Sequence, residues 1–306
     1  FSELNKYIKV SDVYVFTMLG IYTFLALIFY GDIKNSPYLI FENIVIFSVL
    51  LVLSYFISKN PNNKNLILVK RILYAPIVFL IYSQVQPYIK VINPYLFDDI
   101  LIKWDLFIFG VNPTDYLMKI SNPYLTEFLQ LSYMTYFLMP LIQGIELHNK
   151  NMNHDFNKFL SNILFTFFLS YLLYFIMPAI GPRFTLYEFS NLVNELPGIF
   201  ATEFFRNIVN TGGGIVSNVQ NPAEIVNRDC MPSGHTMITL VNMYFGFKLK
   251  SKYKWIFLIF GVSLIFATVY LRYHYVVDVI AGIVLAIIVI IIEPYLSKKI
   301  KRLISN

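Results

Sequence analysis

Apolar residues run along this chain in blocks of about twenty, separated by short connections rich in lysine, asparagine and aspartate. A helix rises ~1.5 Å per residue, so about twenty apolar residues cross the ~30 Å hydrocarbon layer of a bilayer. The blocks predict eight membrane-crossing helices, near 11–30, 38–58, 66–86, 125–146, 159–178, 235–250, 255–272 and 275–296. The third carries Lys70 and Arg71 near its start, and the sixth is short. Two segments break the pattern. Within 87–124, Asp98, Asp99, Lys103, Trp104 and Asp105 interleave with apolar residues at helical spacing, which predicts an amphipathic helix along the interface, with Asp98 and Asp99 as solvated charges rather than a metal site. The 185–229 segment is too polar to cross and too long for a plain connector. It holds Pro197, Pro222, Arg206, Arg228 and the run Gly212-Gly213-Gly214. With no Lys-Ser or Lys-Thr after it, that run reads as a hinge rather than a phosphate cradle, and the segment as a lid or substrate-selecting loop.

Composition fixes the class. Of 306 residues 57% are hydrophobic and only 14% charged, with mean hydropathy +0.60, so the expected fold is all-α and polytopic in the membrane. The net charge of +6 does not point to nucleic acid, because the basic residues are spread over connections between blocks. Lys6 and Lys9, then Lys59, Lys64, Lys70 and Arg71, Lys150 and Lys158, Lys248 to Lys254, and finally Lys298, Lys299, Lys301 and Arg302 all fall on one side of an alternating chain. Positive residues stay in the cytoplasm, which places both termini there and the remaining polar segments on the periplasmic, extracellular or lumenal side. A chain opening on Phe1 rather than methionine is expected to lack its natural N-terminus. The single cysteine, Cys230, excludes an internal disulfide and reads as a small packing residue. The four histidines form no zinc or haem pattern, so neither metal nor cofactor is expected; His148 and His154 read as interfacial anchors in a cytoplasmic connection.

Three short motifs on the predicted outer side carry the chemistry: Gly181-Pro182-Arg183-Phe184, Met231-Pro232-Ser233-Gly234-His235-Thr236, and Arg272-Tyr273-His274 leading to Asp278. His274 and Asp278 are four residues apart, the spacing that lets a carboxylate grip an imidazole across one helix face. An aspartate opening an apolar helix is costly to hold near hydrocarbon, which weights it toward function. Ser233 can cap the helix that follows, leaving the amides of Gly234 and His235 pointing at an anion. Arg183 offers a planar fork matched to phosphate oxygens. Each residue alone has an ordinary structural explanation; together on one side they make a phosphate pocket with a nucleophile and an acid.

These motifs, in this order, resemble the three signatures of the type 2 phosphatidic acid phosphatase superfamily of membrane lipid phosphatases and phosphotransferases. The motifs cover about 178–285, and the resemblance implies a six-helix core over 63–306 preceded by two additional helices in 1–62. It also implies a metal-independent double displacement in which His274 attacks phosphorus and becomes phosphohistidine. Asp278 would orient His274, His235 would protonate the leaving group, and Arg183, Ser233 and Gly234 would hold the phosphoryl oxygens. Substrates would be membrane lipids.

Two positions depart from the family pattern. The lysine usual seven residues before the first-motif arginine is Ile176, and the arginine usual six before the nucleophile is Thr268. A phosphomonoester dianion needs that extra charge more than a phosphodiester does. Arg272 is the auxiliary candidate to replace it. The loss resembles the inositol phosphorylceramide and sphingomyelin synthase branch, which favours a sphingolipid-type headgroup transferase. The alternatives are a lipid phosphate or polyprenyl diphosphate phosphatase, and a non-enzymatic transporter or scaffold. The last would put its polar groups at mid-membrane rather than at one edge.

Overall fold

The computed structural model describes residues 7–215 and 221–305; Lys6 lies outside them. Among the described residues the regular structure is helical, without a strand: α1 (Val10–Ile28), α2 (Ser36–Lys59), α3 (Lys64–Ile92), α4 (Asp98–Phe109), α5 (Pro113–Met118), α6 (Pro123–Asn149), α7 (Asn153–Leu173), α8 (Pro182–Thr185), α9 (Leu192–Glu195), α10 (Thr202–Gly212), α11 (Pro222–Ile225), α12 (Gly234–Lys248), α13 (Lys254–Tyr270) and α14 (Val276–Ser305). Local chemistry sets several starts. Asn63 caps α3 and Asn122 caps α6 through their side-chain oxygens, and proline enters the first turn of α2, α5, α6, α8 and α11.

Every predicted block is a helix, and the protein is an all-α membrane protein. Five helices, α1, α2, α3, α7 and α14, have both the length and the apolar content to cross a bilayer. The other three fall short for separate reasons. α12 has 15 residues and α13 has 17. α6 has 27 but dilutes its apolar run with buried Thr126, Gln130, Ser132, Gln143 and Glu146.

Among the described residues, two compact units emerge. The first contains 1–94, 153–171 and 289–306, and so α1 to α3, most of α7 and the end of α14. Its polar residues pair inside it. Lys70, expected as a cytoplasmic charge, is instead buried, with Nζ 2.7 Å from Asp12 and 2.7 Å from Ser54 Oγ. A lysine within an apolar helix bundle needs a carboxylate to offset its desolvation, and Asp12 supplies it. Glu293 likewise accepts from Asn162 Nδ2 and Tyr14 O–H.

The second unit contains 95–152 and 172–288 and holds every candidate site residue. Its α4 corrects the expectation of solvated carboxylates. Of the two carboxylates expected in solvent, Asp99 is exposed but Asp98 is buried, as is Asp105, while Trp104, Phe107, Ile108 and Phe109 are exposed. The helix is amphipathic with its acidic stripe inward, the arrangement favoured where the outer surface meets lipid rather than water.

Candidate active site

The site is assembled where three segments meet at the head of α14. Ser233 is the N-cap of α12, its Oγ accepting from Thr236 N–H at 3.2 Å. The Ser233 N–H in turn donates to the Asp278 carbonyl at 3.1 Å, which fixes the start of α12 against the first turn of α14. Gly282 permits this contact: a Cβ there would stand 2.8 Å from the Ser233 carbonyl oxygen and 2.9 Å from Thr236 Cβ. Gly234 and His235 follow as the first residues of α12.

His274 lies in the turn ahead of α14 rather than on it, and Asp278 sits in the helix's first turn. Both are buried. His274 Nδ1 is 3.5 Å from Asp278 Oδ2, and its Nε2 is 3.3 Å from His235 Nδ1. The two imidazoles meet edge-on, with centroids 5.5 Å apart. Tyr133 and Tyr136 of α6 flank the His235 ring at 4.7 and 4.2 Å between centroids. The predicted His235, His274 and Asp278 therefore converge, each nitrogen of His274 facing a different partner.

Arg183 is drawn to the same turn through its backbone: its N–H donates to the Arg272 carbonyl at 3.1 Å. Gly181, at φ +90°, is pressed so close that a Cβ would come within 2.6 Å of the Tyr273 carbonyl oxygen. The Arg183 guanidinium is buried between aromatic rings, 4.8 Å from the Tyr273 centroid and 4.6 Å from that of Phe184, and gives one donor to Asn210 at 2.8 Å. Burial lowers its pKa, opposed by Tyr273, Tyr133 and Asp229. Arginine stays charged regardless.

Arg272, the auxiliary candidate, is committed elsewhere. Its guanidinium pairs with Glu195 and lies 3.4 Å from the Tyr187 ring centroid. Its positive φ of 64° turns the chain into the His274 turn. At the other two departures, Ile176 is 62% exposed and Thr268 Oγ1 donates to the Ile265 carbonyl at 2.7 Å, so neither position brings a cation to the site.

Sequence reasoning missed the groups that hold this arrangement. Asp98 accepts from the N–H groups of Ile180 and Gly181, at 3.1 and 2.9 Å, and from the Tyr275 hydroxyl at 2.9 Å. One carboxylate thus ties the Arg183 segment to the residue after His274. Asp105 accepts from the N–H groups of Val276 and Val277, both at 2.9 Å, and so caps α14. Burial raises the pKa of both aspartates, partly offset by those donors. Their spacing of seven, on a helix otherwise apolar toward its exposed face, is the signal that distinguishes inward from solvated carboxylates. Cys230 is also more than filler: its Sγ donates to Asp278 Oδ2 at 2.9 Å and lies 3.6 Å from His274 Nδ1.

The segment after Arg183 is anchored. Glu127 of α6 gathers the N–H groups of Ile199, Phe200, Ala201 and Thr202, and Arg206 donates to the Leu196 carbonyl at 2.8 Å. The glycine run closes α10, with the Gly213 carbonyl accepting from Asn227 N–H at 2.8 Å; residues 216–220 of the predicted loop lie outside the described residues.

A family model described as the PAP2 superfamily matches residues 109–292, which contain His235, His274, Asp278 and Arg183. A PA-phosphatase related-family protein of Dictyostelium discoideum is 26% identical over 191 residues, covering 56% of this chain and 32% of that protein. The match thus takes in about a third of the curated relative's length. No solved structure matches.

Proposed function

Because the chain belongs to the PAP2 superfamily, we propose that it is an integral membrane enzyme that cleaves a lipid phosphoester through a phosphohistidine intermediate and passes the phosphorus-borne group to a second hydroxyl. The convergence of His274 with His235 on one nitrogen and Asp278 on the other carries this reading. With the proton on Nδ1 facing Asp278, the Nε2 lone pair is the nucleophile. It attacks phosphorus, the bond to the leaving oxygen breaks, and that oxygen takes a proton from His235. In the second half, the acceptor hydroxyl gives its proton to His235 and displaces His274. Arg183, the Ser233 cap and the Gly234 and His235 amides neutralise the phosphoryl oxygens. No metal takes part in these steps.

We favour a headgroup transferase of the inositol phosphorylceramide synthase type. Supporting it is the cation count: Arg183 stands without the second and third cations at 176 and 268, and Arg272 is paired with Glu195. That balance suits a singly charged phosphodiester better than a phosphomonoester dianion. A phosphatase is the second reading, favoured by the likeness to the PA-phosphatase related-family protein of Dictyostelium. Both place the site on the non-cytoplasmic face.

Purified protein is incubated with labelled phospholipids and polyprenyl phosphates, with and without ceramide or diacylglycerol. A new phospholipid formed only with acceptor, and without inorganic phosphate, is the expected result. Phosphate release without acceptor replaces the transferase with the phosphatase. His274→Ala is expected to lower turnover by at least ~10³-fold; activity that survives it sinks the enzymatic reading of this site.

A further inference from the structure

Among the described residues, Cys230, His274 and Asp278 form the one place where three metal-ligating side chains converge, all three buried. Their spacing is odd for a hydrogen-bonded dyad. His274 Nδ1 and Asp278 Oδ2 are 3.5 Å apart, longer than the roughly 2.7–2.9 Å of a charge-assisted hydrogen bond. The Cys230 sulfur lies 3.6 Å from that nitrogen and 2.9 Å from that oxygen. A triangle with these sides has a point about 2 Å from all three corners, close to the ~2.0–2.3 Å at which zinc binds N, O and S donors. A further observation points to a missing partner: Asp278 Oδ1 is buried with no hydrogen-bond partner among the described residues. Buried carboxylate oxygens are ordinarily satisfied, and this one belongs to the same carboxylate whose Oδ2 stands in the cluster.

We propose that Cys230, His274 and Asp278 form a binding site for a soft divalent cation, Zn²⁺ in the first instance, and that its occupancy silences the enzyme. Thiolate and imidazole select zinc over magnesium or calcium. On binding, the cation displaces the thiol proton of Cys230 to solvent, and the His274 proton passes from Nδ1 to Nε2 so that the Nδ1 lone pair binds the metal. A neutral imidazole bound through Nδ1 carries its one proton on Nε2. Nε2 is the atom facing His235 and the nucleophile of the proposed reaction, so the metal-bound histidine has no lone pair to offer phosphorus. The silencing rests on that proposed reaction; the site itself does not. Nothing in the sequence marks it, because the ligands lie 44 and 4 residues apart in two segments and Cys230 is the chain's single cysteine.

That single cysteine makes the test specific. The 306-residue chain, tag-free in detergent and stripped with chelator, is titrated with Co²⁺ and read by absorption. The expected result is a near-ultraviolet thiolate-to-cobalt band with tetrahedral visible bands, saturating at one ion per chain and erased by one equivalent of Zn²⁺. Only Cys230 can supply the thiolate. Cys230→Ala is expected to remove the band, and Cys230→Ala and His274→Ala each to weaken Zn²⁺ binding by more than the roughly 10–100-fold that loss of a supporting group costs. Absence of the thiolate band from the wild-type protein, or Zn²⁺ held equally well by Cys230→Ala, overturns the site; the wild-type spectrum decides even if a variant does not fold. Lipid turnover by metal-free protein is assayed alongside and is expected to fall at least tenfold with saturating Zn²⁺ and recover with chelator. A cobalt band without any turnover sinks the catalytic reading alone. Turnover that Zn²⁺ leaves unchanged despite a band sinks the silencing, and turnover without a band sinks the metal site alone.

Discussion

Gly181 and Asp98 decide where Arg183 stands, and neither carries chemistry of its own. At φ +90° Gly181 adopts a conformation that costs an ordinary residue about 1–3 kcal/mol, and its missing side chain leaves room for the Tyr273 carbonyl oxygen. Gly181→Ala is expected to push the Arg183 segment off the His274 turn. Steady-state kinetics with a lipid substrate should show a loss near 10²-fold in kcat/KM, the scale on which an ångström of misplacement acts; near wild-type kinetics would show that this contact does not position the arginine. The convergence of His235, His274 and Asp278 was legible in the sequence because motif and spacing both survive projection onto one dimension: His274 and Asp278 are four apart, and Ser233, two before His235, precedes the helix it caps. Asp98 was not legible. Its partners Ile180, Gly181 and Tyr275 are 82, 83 and 177 residues away, and no local pattern reports a carboxylate aimed at distant backbone donors.

At the scale of elements, the same logic governs α4 and α14. Solvated charge was the natural expectation for an acidic, aromatic helix, but that expectation assumes water outside. With Phe107 and Ile108 outward, Asp105 turns in and supplies the two N–H groups at the head of α14 with an acceptor. Asp105→Ala removes that acceptor and leaves two buried donors unsatisfied, a loss of about 2–4 kcal/mol that thermal unfolding in detergent would register. A pH signature separates the charged cap from a neutral one. Burial pushes the Asp105 carboxyl above its ordinary value, more strongly than Val276 and Val277 N–H pull it down. A folded-state pKa above the unfolded one means stability that is full below the ordinary carboxylate range and is lost as pH rises through the raised value. The stability of wild type relative to Asp105→Asn should therefore be greater near pH 4 than near pH 8; a gap that widens with pH would show that the donors, not burial, dominate. The blocks of apolar residues made all eight long helices readable, whereas the short helices between Pro182 and Ile225 have no such signal. They are held by side chains such as Glu127, which collects four consecutive backbone donors from 72 to 75 residues away.

For the molecule as a whole, the distribution of charge still has to be converted into a direction across the membrane. Lysines at 248, 250, 252 and 254 crowd one connection, and the tail after α14 adds Lys298, Lys299, Lys301 and Arg302. Lys70 no longer belongs in that count, since a lysine neutralised by Asp12 inside a helix bundle exerts little pull on topology. By the positive-inside rule the remaining bias is expected to put these connections in the cytoplasm. The α10 segment and the site then face the other way. Single cysteines at the exposed positions Lys252 and Glu203, each in a Cys230→Ser background, convert the inference into a measurement. In right-side-out vesicles or intact cells, a membrane-impermeant maleimide should label Glu203→Cys and spare Lys252→Cys until the membrane is permeabilised. The reverse pattern would put the phosphoester site in the cytoplasm and demand a cytoplasmic substrate. Labelling of both from one side would mean that α12, the one predicted crossing between α10 and the Lys252 connection, does not cross, and would remove the alternating path on which the outward-facing site depends.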